Sequence, residues 1–133
     1  MVLRVKSYKT QVLKRSRKAF AETAIALNQA NQEVISQPQY WPGFENSVTY
    51  RQNGEVVRGA FRDIFDLGNI ATSQTLNLDT GKASITWDGN SETPVLAVFY
   101  GFRTSETYVP GRNWIERALE SVDLAQMFSD SFR

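Results

Sequence analysis

Two residue types are missing altogether: the 133-residue chain contains no cysteine and no histidine. Without cysteine there can be no disulfide, no thiolate metal site and no thiol nucleophile. Without histidine the commonest general base and the commonest metal ligand are gone, and with them every Ser-His or Cys-His mechanism. Long apolar runs are missing too. The longest, residues 95–100, is far too short to span a bilayer. The N-terminus is basic, but no apolar run of about 7–15 residues follows it, so no targeting segment is read. The chain is expected to stay in the compartment where it is made, most simply a cytoplasm, and no membrane is expected among its partners.

Acids are absent from the first part of the chain. Arg4, Lys6, Lys9, Lys14, Arg15, Arg17 and Lys18 all precede the first acid, Glu22. The formal net charge is only +1, so the remainder of the chain is net acidic. Such asymmetry marks a nucleic-acid contact or a charge-matched protein partner, or else a solvated helix face. The expected interface residues are therefore Lys14, Arg15, Arg17 and Lys18, together with the hairpin tip at Asn53 and Gly54.

What is present fits one domain of mixed class. Residues 4–36 read as one long helix. Val5, Tyr8, Val12, Ser16, Phe20, Thr23, Leu27, Ala30 and Val34 recur at spacings of three and four, and neither Gly nor Pro interrupts them. Pro38 and Pro42 stop it. About thirty helical residues span roughly 45 Å, longer than one domain of this size needs. One end is expected to project onto a neighbour.

Residues 37–46 read as a loop in which Tyr40, Trp41 and Phe44 cover the core or form a contact surface, with core cover favoured. A hairpin follows, with strands over 47–52 and 55–59 and Asn53-Gly54 as a two-residue type I′ turn, both central residues at positive φ. Residues 66–75 read as a turn and short helix with Leu67 and Ile70 inward. A second hairpin places strands over 74–78 and 82–87 around Asp79-Thr80-Gly81. Residues 94–100 fit either a buried strand or a short helix capped at Thr93-Pro94. Residues 112 to about 128 read as one closing helix, with Trp114, Ile115, Ala118, Leu119, Val122, Ala125 and Phe128 on one face. The fold class expected is α+β: a long N-terminal helix, a small antiparallel sheet built from two hairpins, and a closing C-terminal helix.

No chemistry is evident in these elements. Asp63 and Asp66 are the nearest approach to a carboxylate pair, and on a turn such residues usually satisfy backbone N–H groups. No phosphate-loop, dinucleotide or calcium-loop pattern occurs, and Asp79-x-Gly81 lacks the further ligands that calcium needs. No catalytic residue, cofactor or metal is expected. Nucleic-acid binding is the main alternative, with the basic helix along phosphates and aromatics stacking on bases. Against it, the basic residues are not interleaved with aromatics, and the pI near 8.0 is low for a dedicated module.

Several stretches resemble a tailed-bacteriophage family, the small neck and tail-completion proteins that join head to tail and are related in fold to tail terminators. They are Arg51-Gln52-Asn53-Gly54-Glu55-Val56-Val57, then Arg62-Asp63-Ile64-Phe65-Asp66-Leu67-Gly68, then Ile70-Ala71-Thr72-Ser73-Gln74. Tyr100-Gly101 looks like the family's aromatic-glycine turn. Pro110, Arg112, Trp114, Ile115, Ala118 and Leu119 look like its closing helix. The resemblance covers roughly residues 46–122; the N-terminal helix agrees in type only. Many members carry a glutamate just before the aromatic-glycine pair, where this chain has Val98-Phe99-Tyr100, so no charged role is carried onto that position. The resemblance implies a non-enzymatic virion protein, made in a host cytoplasm. It implies a homo-oligomeric ring, with a hexamer favoured, at the neck or the top of the tail tube. Its neighbours would be neck or tail-tube proteins, and DNA would pass through without sequence-specific binding.

Overall fold

The computed structural model of the protein describes residues 2–51, 54–64, 69–79, 82–87, 95–105 and 107–132, with side chains from residue 11 onwards. Its class is α+β. Helix α1 spans Val2–Ser36 as one uninterrupted element. From Val12 onwards the sequence stripe faces inward as expected: Ala30 and Val34 are buried, Val12, Ser16, Phe20, Thr23 and Leu27 are partly covered, and Ala19, Asn31 and Ile35 complete the inner face, while the side chains of Val5 and Tyr8 lie outside the described ones.

The strands form four separate antiparallel pairs among the described residues, rather than one sheet made of two hairpins. Strand β1 (Gln39–Tyr40) pairs with β4 (Phe61–Arg62), drawing part of the expected loop 37–46 into a ladder. Strands β2 (Val48–Tyr50) and β3 (Val56–Arg58) form the first hairpin. After helix α2 (Asn69–Ser73), β5 (Thr75–Asp79) and β6 (Lys82–Thr86) form the second, with Leu76 opposite Ile85 and Leu78 opposite Ala83. Residues 95–100, open between strand and helix, are helix α3 (Val95–Tyr100). A further hairpin, β7 (Gly101–Arg103) with β8 (Tyr108–Pro110), was not foreseen.

Two expectations are corrected. The first hairpin does not close through a two-residue turn. Val48 opposes Arg58 and Tyr50 opposes Val56, so three residues connect Arg51 to Glu55. Arg51 N–H donates to Glu55 O at 2.9 Å, and Gly54 N–H donates to Arg51 O at 3.0 Å with Gly54 at φ +89°. This is the three-residue loop that a left-handed glycine closes at a bulge. Asn53, and with it the expected positive φ there, lies outside the described residues, as do Asp66, Leu67, Thr93 and Pro94. A one-residue change of register exchanges the two faces of a strand. The register adopted puts Thr49, itself exposed, on the face of the hairpin where its hydroxyl meets the guanidinium of Arg62.

The closing helix is not continuous either. Helix α4 (Trp114–Ser121) ends at Val122, which is extended at φ −128° and ψ 146°, and α5 (Leu124–Phe132) begins anew. The cause is local. Asp123 accepts the Gln126 N–H on its carboxylate at 3.0 Å and the Met127 N–H on its carbonyl at 2.9 Å, which makes it the N-cap of a second helix. Asn113 caps α4 in the same way, accepting the Glu116 N–H at 2.9 Å.

The core lies where α1, α4 and the Trp41–Phe44 segment converge, and Trp114, 1% exposed, is at its centre. Trp114 makes edge-to-face contacts with Trp87 (5.6 Å) and Phe99 (5.1 Å). Side chains stitch α1 to what covers it. Gln32 donates to Ala71 O at 2.7 Å. Gln74 donates to Asn28 at 2.7 Å and accepts the Trp87 indole N–H at 2.9 Å. Gly101, at φ +86°, permits a close crossing: a Cβ there would sit 2.6 Å from Val109 O and 2.7 Å from Gly111 N.

Candidate functional site: an arginine cluster and exposed apolar faces

Strand β4 and the first hairpin are locked together by arginines. Arg62 is 3% exposed. Its Nε donates to Gly59 O at 2.8 Å, Nη1 to Thr49 Oγ1 at 2.7 Å and Nη2 to Ser47 O at 3.2 Å. The guanidinium therefore plugs the inner face of β2–β3. Arg51 joins the turn end of the same hairpin to the residue after β4: Nη1 meets Asp63 Oδ1 at 2.6 Å and Nη2 donates to Asp63 O at 2.8 Å. Asp63 is thus held in an ion pair with Arg51, and among the described residues no backbone N–H is seen donating to its carboxylate as was expected of a turn aspartate.

Aromatic rings carry the cations further. Arg62 and Arg112 both stack on Phe44, each with Cζ 5.0 Å from the ring centroid, and Arg117 lies 4.2 Å over Trp41 while donating to Tyr40 O at 3.0 Å. Trp41 and Phe44 are buried, as core cover requires, whereas Tyr40 is exposed. Burial, followed by the nearby charge of Arg51, lowers the pKa of Arg62. Burial, followed by the charges of Arg62 and Arg51, pulls Arg112 down to about 10, with Asp63 opposing the shift. At the surface, the Tyr40 hydroxyl donates to Glu45 at 2.7 Å, which raises the tyrosine pKa and lowers that of the glutamate. A shallow cleft of about 260 Å³ opens between Trp41, Pro42, the cap residue Asn113 and the α4 residues Glu116, Arg117 and Glu120.

Among the described residues, exposed large apolar side chains gather on several faces. The register puts Val48, Tyr50 and Val56 together on the outer face of β2–β3, with Tyr50 77% exposed. Tyr40 and Phe61 pair across β1–β4, with Phe61 69% exposed. Leu96 and Tyr100, 72% and 71% exposed, lie one turn apart on α3 beside exposed Tyr108, whose hydroxyl reaches Tyr100 O at 3.4 Å.

Of the expected interface residues, Lys14, Arg15, Arg17 and Lys18 are exposed on α1, and Lys18 approaches Glu22 of its own helix at 3.9 Å. Gly54 is exposed at the hairpin tip. No hydrogen bond or ion pair among the described residues joins the two groups. Among the described residues no group of three or more potential metal ligands converges, and no helix is long and apolar enough to cross a membrane. The arginine cluster was missed from sequence. Its one signal was the Arg62-Asp63 pair, noted for resemblance and not for burial.

Compared with protein-family models, with curated proteins and with solved structures, the chain matches none.

Proposed function

We propose that this chain is a non-enzymatic structural protein of a tailed-bacteriophage virion, forming a ring at the head–tail neck or the top of the tail tube. The motif resemblance supplies the role. The observation that carries it in the structure is the set of distinct exposed apolar faces on a single domain: the outer face of β2–β3, the Tyr40–Phe61 pair, and the Leu96–Tyr100–Tyr108 patch. Contiguous exposed aromatics favour protein contact. A ring of identical subunits requires two different patches, because its contacts are head-to-tail rather than self-complementary. The first hairpin suits such a contact, being braced from behind by Arg62 and Arg51.

A second reading, a stand-alone nucleic-acid-binding module, is favoured by one observation, the exposure of Lys14, Arg15, Arg17 and Lys18 on one helix. Mass measurement on the purified chain separates the two. The ring reading expects a closed oligomer of the 15.1-kDa chain, about 90 kDa for a hexamer, or polymerisation triggered by tail tubes. A monomer at every concentration, with DNA affinity falling steeply as salt rises, refutes it in favour of the second. Neutralising the four basic residues together should leave the monomer folded and slow assembly, with the effect shrinking as salt rises. Normal assembly of that variant at low salt would reduce the basic helix to a solvated face.

A further inference from the structure

Among the described residues no acid forms an ion pair with Arg112. Its Nε is buried without an acceptor, and its two Nη nitrogens, which are not shut away with it, donate to nothing among the described residues. The nearby carboxylate, Asp63, is engaged by Arg51 at 2.6 Å. Arg62, stacked on the same Phe44 ring, spends its donors on backbone carbonyls and the Thr49 hydroxyl and brings no counter-charge. Arg117 makes the contrast. It too stacks on an aromatic ring, but it donates to Tyr40 O and shares its cleft with Glu116 and Glu120. Desolvating a cation without a counter-ion is costly, and a guanidinium fork with two free nitrogens matches two oxygens of one anionic group.

We propose that Arg112, backed by Arg62 and Arg51 and seated on Phe44, is a receptor for a single oxyanion group, a carboxylate or a phosphate, taken end-on by its two Nη nitrogens. The site fits one group and not a polyanion, because the chain beyond Lys18 is net acidic. Two sources supply this chemistry: a free anion such as inorganic phosphate, and an acidic side chain of a second copy of this chain. The inference does not depend on the ring.

The test titrates the full chain with sodium phosphate, and separately with sodium acetate, against sodium chloride at matched ionic strength. The readouts are the thermal midpoint and the arginine Nε–H resonances. Phosphate is expected to raise the midpoint saturably beyond the chloride control and to move the Arg112 resonance, assigned by its loss in Arg112→Lys, over the same range. Arg112→Gln should weaken the response by about tenfold or more, while Arg112→Lys, which keeps the charge but not the fork, should retain part of it. No response beyond chloride overturns the proposal, as does an equal response in Arg112→Gln. Should Arg112→Gln fail to fold, the wild-type resonance decides, and an unmoved signal overturns it. Where the site binds, mass measurement assigns the source. Self-association that phosphate and acetate both dissolve, and that Arg112→Lys weakens, identifies a carboxylate of a second copy. A constant mass identifies the free ion.

Discussion

Replacing Arg62 with Met tests how the first hairpin is held. The substitution keeps a long, flexible side chain against Phe44 and removes all the donors. Gly59 O and Thr49 Oγ1 then lose partners at 2.8 and 2.7 Å, and Ser47 O keeps only the Gly59 N–H at 3.0 Å. A hydrogen bond to a charged donor contributes about 1.5–3 kcal/mol, and a buried acceptor left unpaired costs about 1–3 kcal/mol. Relief of the cation's own desolvation, visible in its lowered pKa, offsets part of this. The net expectation is a loss of about 2–4 kcal/mol. Arg62→Lys should lose roughly half as much, because an ammonium is a point donor that cannot span acceptors on both strands. Urea unfolding read by tryptophan fluorescence measures both variants. The midpoint should fall with the slope unchanged, since the same surface is exposed on unfolding. A loss under about 1 kcal/mol for Arg62→Met would refute the reasoning, because the hairpin's inner carbonyls would then be finding water without rearrangement.

Truncating Trp114 to Ala should cost about 3–5 kcal/mol and deplete soluble protein, as read by thermal melting and expression yield, since the ring is 1% exposed and bears on Trp87 and Phe99. Gly101→Ala should cost about 2 kcal/mol or more in the same melt, because φ is +86° and the added carbon meets backbone atoms of Val109 and Gly111. Arg112→Met should stabilise the chain at pH 7 by on the order of 1–3 kcal/mol in urea titrations without phosphate. The sign follows from the pKa of Arg112, which folding pulls down to about 10. Below pH 10 the folded and unfolded chains are both protonated and the folded one carries the full cost. Above it the folded chain loses its proton first, so wild-type stability rises with pH relative to the variant and the gap narrows.

The elements that the sequence disclosed were those whose signals are local and repeated. Helix α1 followed from spacings of three and four, and the β5–β6 hairpin from Leu76 and Leu78 alternating against Ala83 and Ile85. The division of the closing helix was concealed because Trp114 through Phe128 keep a helical apolar rhythm across the break. The competing signal was a single capping aspartate, Asp123. The register of the first hairpin turned on one residue. Asn-Gly favours two-residue loops in general, whereas here the hydrogen bond between Thr49 and the buried Arg62 goes with three. The burial of the arginine cluster could not be read from the sequence. Its members lie at positions 51, 62 and 112, and nothing local distinguishes an arginine that will be buried on Phe44 from one that will be solvated.

The order of the elements along α1 bears on how the chain is made. Its inner face is covered chiefly by α4 and α5, which are synthesised well after it. Between Ser36 and Leu124 a ribosome working at about 5–20 residues per second takes roughly 4–18 s. The intervening hairpins close within microseconds of emerging, so they are in place long before the spine is sealed. For those seconds Val34, Ile35 and the rest of the stripe lack their final partners. The chain's exposure to aggregation is therefore concentrated on the ribosome, and a variant that delays α4 docking would lose yield even where its finished fold is no less stable.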